Sequence, residues 1–175
     1  MFDCGEFNAG TFTATSKEWD QQLQALIGSL PVAHHKGILA WVEKHLVQDR
    51  ADPNTYAYAL MRKGQPYACA VLEVSYAKIP GDSWLKVLQV HTEPKLDASI
   101  AAGDEVITEL SAIAAYSLVS VLGLTYQQYP CNRLKVYGRT PLTVEFLEGV
   151  AGNLTQLEGL KLKIYAQAGW LIFDK

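Results

Sequence analysis

The sequence of 175 residues lacks any apolar run that approaches the roughly twenty residues a membrane-spanning helix needs. Its longest apolar stretch, 110–124, is interrupted by serine, tyrosine and glycine. The first residues also lack the positive start and apolar stretch of a secretory signal peptide. These absences predict a cytoplasmic protein that has no membrane partner.

Cysteine is scarce, and the residues that bind metals are not grouped. Cys4, Cys69 and Cys131 form no Cys-x-x-Cys pair, and an odd number of cysteines is a poor disulfide framework. His34 and His45 lie about 16 Å apart along a helix, which is too far for one metal ion. The Gly-x-Ser-x-Gly, Walker and dinucleotide-binding motifs are all missing. We therefore expect no metal site, and neither a serine hydrolase nor a nucleotide-binding protein.

Charge of one sign is not in large excess either. Lys plus Arg number 15 and Asp plus Glu number 18, which gives a net charge of -3. Because nucleic-acid binding usually needs a clustered basic surface, this balance predicts no nucleic-acid partner, although a small local basic patch is compatible with it. Hydrophobic residues make up 49% of the chain, enough to form a core, and the length predicts one domain over 1–175.

Residue spacing predicts the element order β-α-α-β-β-β-α-β-α-β-β. A helix between the strands at 84–90 and 133–137 predicts that these two are parallel, in a mixed and mostly antiparallel α/β sheet with helices on its faces. The segment 92–103 has weak periodicity and is predicted to be a loop. The other predicted elements are a β segment at 10–14, a helix opened by a capping box at Thr15-Ser16-Lys17-Glu18, a helix at 33–48, strands at 55–62 and 66–78, a helix at 104–122 closed by Gly123, a helix from Pro141 to about 150, and a hairpin at 160–173.

This order resembles the Gcn5-related N-acetyltransferase fold over nearly the whole chain. The stretch Val87-Leu88-Gln89-Val90-His91-Thr92-Glu93-Pro94 is similar to the family strand that ends in a valine, a polar residue and proline. The resemblance implies that acetyl-CoA binds there, with its pantetheine arm inserted between two parallel strands that separate. It places Val90 and Thr92 among the cofactor-binding residues.

The pyrophosphate loop of that family is degenerate in this chain. The family has Arg or Gln, two residues, Gly, one residue, then Gly or Ala, at the start of the long helix. The corresponding stretch is 97–105, in which Asp97 takes the basic position and Ala102, followed by Gly103, fits the last one. Acids at 97, 104 and 105 favour the helix N-terminus but repel a pyrophosphate. By resemblance, Ala102 and Gly103 are cofactor-binding residues.

Two residues are the candidate catalytic groups. An acetyltransferase needs a base for the amine proton and an acid for the departing thiolate. Glu73 lies within an apolar strand, where burial would raise its pKa, or else it faces solvent by strand alternation. His91 and Glu93 follow the next strand and either reach a cleft or lie in a solvated loop. The resemblance implies a tyrosine as the acid, and Tyr137 is the candidate.

The segment that follows Tyr137 is a second candidate site. Arg139 could bind an anion of the cofactor near a helix N-terminus that Thr140 caps, or it could pair with a surface acid. Tyr165, in a segment that resembles the family's Tyr-three residues-Gly-Phe, is an alternative proton donor. A plain hairpin turn is the other interpretation of that segment.

Three functions are therefore compatible with the sequence. The first is transfer of an acetyl group from acetyl-CoA to an amine substrate. The main alternative is a non-catalytic protein of the same fold that binds a protein partner, which the degenerate phosphate loop favours. The third is a protein that binds a small molecule in the same cleft. Abundant aromatic residues are compatible with either of the first two, because tyrosine and tryptophan are enriched both in strands and at interfaces.

Overall fold

The sheet of the computed structural model has seven strands in the order β1-β2-β3-β4-β5-β7-β6. The structure describes residues 1–26, 32–48, 51–99, 104–138, 144–145, 147–150, 152 and 162–175. The elements in chain order are β1 (Phe2–Glu6), α1 (Ala9–Ala25), α2 (Val32–Glu43), β2 (Thr55–Arg62), β3 (Ala68–Ala77), β4 (Trp84–Thr92), α3 (Pro94–Ser99), α4 (Asp104–Leu124), β5 (Arg133–Tyr137), β6 (Lys163–Gln167) and β7 (Trp170–Asp174).

Strand directions confirm the predicted mixed sheet. β4 and β5 are parallel, with 84–87 paired to 133–136. The β1–β2, β5–β7 and β6–β7 pairs are antiparallel. The α/β class with a mostly antiparallel sheet and flanking helices is therefore the fold of this chain.

The chain divides into two units by its internal contacts. The first unit consists of 1–73 and 90–120, and the second unit of 74–89 and 121–175. One domain over 1–175 stays a prediction.

Helix α1 begins earlier than the sequence pattern predicted. Asn8 is its N-cap, and the Asn8 side chain accepts a hydrogen bond of 3.0 Å from the Thr11 amide. The predicted β segment at 10–14 and the capping box at Thr15 are therefore wrong, because Asn8 already starts the helix. Thr15 is instead buried, and its hydroxyl oxygen accepts the Ala68 amide at 3.0 Å.

The core of the first unit forms where α1 and α2 cover the strands. Thr15, Trp19 and Leu23 are buried at a spacing of four residues on α1. The Trp19 indole N–H donates to the Ala68 carbonyl at 2.9 Å, which fixes the helix to the start of β3. The buried cluster consists of Phe7, Trp19, Ile38, Leu39, Val42, Ala57, Ala59, Ala68 and Val71.

The described part of the segment predicted as a loop, 92–99, contains regular structure. β4 continues to Thr92, and Pro94–Ser99 forms the short helix α3 inside the segment predicted as a loop. Proline fits the first turn of a helix because its missing N–H has no partner there in any case. The Glu93 carbonyl accepts the amides of Leu96 and Asp97 at 3.1 and 3.2 Å, which closes the turn. α4 likewise runs past Gly123 to Leu124.

The second unit includes the C-terminal hairpin, which follows the prediction with shifted bounds. β6 and β7 are joined by Ala168 and Gly169, with φ values of 50° and 79°. Two positive φ values in a two-residue turn match the twist of the flanking strands. The inward side chains are apolar and buried: Leu85, Val87, Leu134, Val136, Leu171 and Phe173.

Gly138 is a position where the backbone needs glycine. A Cβ there would lie 2.7 Å from Val144 Cγ2 and 3.1 Å from the Val144 amide nitrogen. Gly138→Ala should therefore lower the free energy of unfolding by about 1–3 kcal/mol, measured by urea denaturation. Gly149→Ala is the matched control, because a Cβ at 149 meets nothing within 4 Å and its backbone is helical. That change should raise the free energy by about 0.5–1 kcal/mol. Equal changes in the free energy of unfolding for Gly138→Ala and Gly149→Ala would contradict the close contact between Gly138 and Val144.

Among the described residues, none of the helices has the length and apolar character that crossing a membrane requires.

Candidate active site

A cleft of about 390 Å³ lies in the first unit, beside α2. Residues of α2 one turn apart share the side of the helix that lines it. Glu73 of β3 and His91 of β4 complete the lining, so the structure brings two of the sequence candidates together. The full lining is Ala33, His34, Gly37, Ile38, Trp41, Glu73 and His91.

The lining of this cleft combines one carboxylate with two imidazoles. The rings of His34 and His91 lie 5.9 Å apart. Glu73 is half-buried between the fully buried Leu72 and Val74, so an apolar strand presents it to the cleft. Gly37 leaves its part of the wall without a side chain, and a Cβ there would meet nothing within 4 Å. Carboxylate and imidazole are the groups that most often accept protons in enzymes.

A hydrogen-bonded series next to the cleft links α2 with α3 and β4. His35 is 1% exposed, and its Nε2 lies 3.0 Å from Asp97 Oδ2. The Thr92 hydroxyl donates to Asp97 Oδ1. Asp97, the acid that the sequence placed at the phosphate position, is thus engaged by two neighbouring side chains. Among the described residues, His35 Nδ1 has no hydrogen-bond partner.

A buried ionic cluster holds the end of β4. Glu93 is 2% exposed, and its Oε1 accepts from Arg62 Nη2 at 2.5 Å. Arg62 also donates to Glu109 Oε1, from Nε at 2.9 Å and from Nη2 at 2.5 Å. Burial opposes the charge on Arg62, but the hydrogen bonds to Glu93 and Glu109 outweigh it and raise the pKa of Arg62. Of the two alternatives for Glu93, the solvated loop is wrong, because Glu93 is buried against Arg62.

Gln22 of α1 connects the ionic cluster to α3. Its Nε2 donates to Glu93 Oε2 at 2.9 Å, and its Oε1 accepts the Lys95 amide at 3.0 Å. One side chain therefore holds both the Glu93 carboxylate, directly after β4, and the first turn of α3. The position of this turn is set by contacts with α1 and β2, which lie far away in the sequence.

The remaining sequence candidates have different surroundings. Val90 is 38% exposed and Thr92 is half-buried, both near the end of β4. Tyr137 ends β5 in the second unit, is 40% exposed, and its ring lies 4.8 Å from that of Trp170. Ala102, Gly103, Arg139 and Thr140 lie outside the described residues.

Tyr165 lies in strand β6, as the hairpin interpretation has it. Its hydroxyl donates to Asp174 Oδ2 at 2.9 Å, and this hydrogen bond raises the pKa of Tyr165. The structure therefore shows Tyr165 paired with a carboxylate on the neighbouring strand.

The three cysteines are poor nucleophiles. Burial raises the pKa of Cys69 to about 12 and that of Cys4 to about 11. Burial raises the pKa of Cys131 as well. Because the thiolate is the reactive form, none of them is activated at neutral pH. A mechanism through an acyl-cysteine finds no support in these surroundings.

Sequence reasoning missed Arg62, His35 and Gln22. The signal for Arg62 was its place as the one charge at the end of the apolar strand 55–62. His35 could be found from helix spacing, since 35, 38, 39 and 42 form the buried side of α2. Gln22 donates locally to Glu18 at 3.1 Å, but its contacts with Glu93 and Lys95 span about seventy residues, and no local pattern reveals them.

Comparisons with known proteins show the fold. No family model matches the chain, and no curated protein matches it. Among solved structures, AtaTR bound with acetyl-CoA is similar, with 9% identity and a TM-score of 0.51, covering 99% of this chain and 92% of that one. A point mutant of KacT is 10% identical with a TM-score of 0.51, covering 99% and 94%. The chain has a Gcn5-related N-acetyltransferase-like fold. At such low identity, this likeness concerns the fold alone.

Proposed function

We propose that this chain transfers an acetyl group from acetyl-CoA to an amine. The supporting observation is the cleft of the first unit, where Glu73, His34 and His91 combine near the end of β4. The fold is shared with a structure bound with acetyl-CoA, so the expected cofactor is compatible with the architecture. An amine acceptor fits a cleft whose lining contains one carboxyl group and two imidazoles, because these groups can hydrogen-bond to an amine and accept its proton.

Acetyl-CoA is proposed to contact the end of β4. Val90 offers an exposed apolar side chain, and Thr92 lies two residues further along the strand. His35 and Thr92 both hydrogen-bond to the Asp97 carboxylate next to this strand end, so that both of its oxygens already have a partner. Ala102, Gly103 and Arg139 are further proposed contacts from the resemblance alone.

In the proposed reaction, two residues move the protons. Acetyl-CoA, when bound, supplies a thioester whose C–S bond breaks as the amine nitrogen bonds to the carbonyl carbon. Glu73 accepts the proton that the nitrogen loses, directly or through an adjacent imidazole. From the resemblance alone, Tyr137 is the proposed donor of the proton that the departing sulfur takes up. Both residues then return to their resting forms by proton exchange with water.

Acetyl-CoA binding is the decisive measurement, made by isothermal titration together with release of free thiol in the presence of a panel of amines. We expect a Kd in the micromolar range, about -8 kcal/mol. Val90→Asp should weaken binding at least about tenfold, because the new carboxylate would repel the anionic cofactor. A tenfold loss of affinity corresponds to about 1.4 kcal/mol. Val47→Asp, at another exposed valine of the first unit, should leave binding unchanged. No heat at millimolar ligand would rule out the enzyme.

Protein binding is a second candidate function, favoured by exposed apolar side chains on α4. Val119 is 69% exposed and Tyr116 is 39% exposed. The Phe2 ring lies 5.0 Å from the Tyr116 ring, so the patch continues onto β1, which is the outermost strand in the sheet order. An edge strand beside an apolar patch is a surface on which proteins dock. Absence of acetyl-CoA binding would leave this function as the better supported one.

A further inference from the structure

One side of the sheet in the second unit, opposite to the buried Leu85, Leu134 and Phe173, combines lysines with aromatic rings. Ile172, which lies among them, is 5% exposed, and the Trp84 indole nitrogen is buried. Strand pairing places these residues in rows, because residues directly opposite each other point to the same side of a sheet. One row across four strands is Lys86, Lys135, Ile172 and Tyr165, and the next is Trp84, Arg133, Asp174 and Lys163. We call this surface the basic–aromatic face and define it by Trp84, Lys86, Lys135, Lys163, Tyr165 and Trp170.

Each ammonium group of the basic–aromatic face lies against a ring. Lys86 Nζ is 5.5 Å from the ring centroids of both Trp84 and Trp170. Lys135 Nζ is 4.5 Å from the Trp84 centroid, and Lys163 Nζ is 5.3 Å from that of Tyr165. Cation–π attraction therefore holds the charges and the rings in one alternating layer.

The charge of this face is opposite to that of the chain. Arg133 is neutralised by Asp174 and Asp82, at 2.6 and 3.2 Å. For the described part of the chain, the structure shows no carboxylate within 4.0 Å of the Lys86, Lys135 or Lys163 ammonium groups. Three lysines thus lie on one face of a protein whose net charge is -3. Lys163 lies opposite Asp174 and helps to lower the pKa of that carboxyl group, so within the described ranges Lys86 and Lys135 are the two that lack a close counterion.

We propose that the basic–aromatic face binds a single-stranded nucleic acid. Aromatic rings stack with bases of any sequence, and nearby lysines contact the phosphates that link those bases. An acidic peptide would satisfy the charges but would leave the rings without a function. The sequence expectation of no nucleic-acid partner depended on the net charge of the whole chain, which averages out a local cluster.

Fluorescence anisotropy of labelled oligo-uridine and oligo-thymidine of roughly twelve nucleotides tests this surface. We expect micromolar binding at low salt that weakens with a log–log salt slope of about -2, since three lysines each release about 0.7 counterion from a single strand. Lys135→Ala should reduce the slope to about -1.4. Lys17→Ala, at an exposed lysine of α1, is the matched control and should leave affinity and slope unchanged.

Stacking is tested separately through tryptophan. Bound oligonucleotide should quench the fluorescence of the wild-type protein, and Trp84→Leu should weaken binding about tenfold. The thermal midpoint of each variant is measured alongside, so that a loss of fold is recognised as such. Unchanged anisotropy at millimolar oligonucleotide would overturn the assignment. So would equal losses in Lys135→Ala and Lys17→Ala, or competition by a polyglutamate peptide as strong as by oligonucleotide. Neither readout depends on acetyl transfer.

Discussion

Arg62→Met is expected to lower the free energy of unfolding by about 3–5 kcal/mol, since it leaves the Glu93 carboxylate buried without its cation. The side chains of Glu93 and Arg62 are 3% and 25% exposed, so water replaces little of the lost interaction. Methionine retains the apolar stem of the arginine and removes the guanidinium group, so the loss reports mainly on the charge and its hydrogen bonds. Urea denaturation monitored by tryptophan fluorescence measures it.

Arg133→Met is the matched control for this change. Arg133 also has two carboxylate partners, but those side chains are 26% and 55% exposed. Arg133→Met should lower the free energy of unfolding by about 0–1 kcal/mol, which is the range for ion pairs at a protein surface. Equal destabilisation by the two substitutions would contradict the role assigned to Glu93 burial.

The double variant keeps the prediction testable if Arg62→Met fails to fold. Combining Arg62→Met with Glu93→Met removes both charges and replaces them with apolar groups of similar size. Such replacements are often neutral or stabilising, so the double variant should recover most of the lost stability. A double variant as unstable as the single one would show that shape, and not the uncompensated carboxylate, is decisive.

The ionic cluster connects the stability of the first unit with the proposed cofactor contact. Arg62 and Gln22 hold Glu93, which directly follows β4 and the residues proposed to contact acetyl-CoA. A folded Arg62→Lys protein retains the charge but loses the fork that reaches two carboxylates. Rigid support of this kind is typical of sites that must hold a ligand in one position.

Local pattern predicted those elements whose ends are marked by turn residues. The predicted strands 55–62 and 133–137 match the observed bounds. Turn residues delimit the first strand on both sides, at Asp52-Pro53-Asn54 and Lys63-Gly64. The second strand is marked by the alternating apolar residues Leu134 and Val136. Pattern failed at the N-terminus, where β1 is a strand because it pairs with β2. That pairing joins residues about sixty positions apart, which no local rule can detect.

The candidate site shows the same division between local and distant information. Glu73 was recognisable as a lone carboxylate inside an apolar strand, and it does line the cleft. His34 was considered only as a metal ligand, because its nearness to His91 arises from the packing of α2 against the sheet. The engagement of Asp97 by His35 and Thr92 likewise depends on tertiary structure.

Glu73→Gln is expected to lower kcat for acetyl transfer by about 10²–10⁴-fold, because it removes the proposed acceptor of the amine proton. Glutamine keeps the size and hydrogen-bonding length of the side chain, so the Kd for acetyl-CoA should not change. The acidic limb of the pH–rate profile should disappear in the variant, since that limb reports the ionisation of the base.

Glu43→Gln is the matched control, at an exposed glutamate that ends the helix lining the same cleft. It changes the charge of the protein equally and should leave kcat and the pH profile as in the wild type.

His91→Gln and Tyr137→Phe extend the series. A relay through the imidazole predicts a loss in His91→Gln as large as that in Glu73→Gln, whereas direct transfer to Glu73 predicts a much smaller one. Tyr137→Phe keeps the ring beside Trp170 and removes only the phenolic proton, so its loss should appear in kcat alone. Equal rates in Glu73→Gln and Glu43→Gln would exclude Glu73 as the base, even if acetyl-CoA binds.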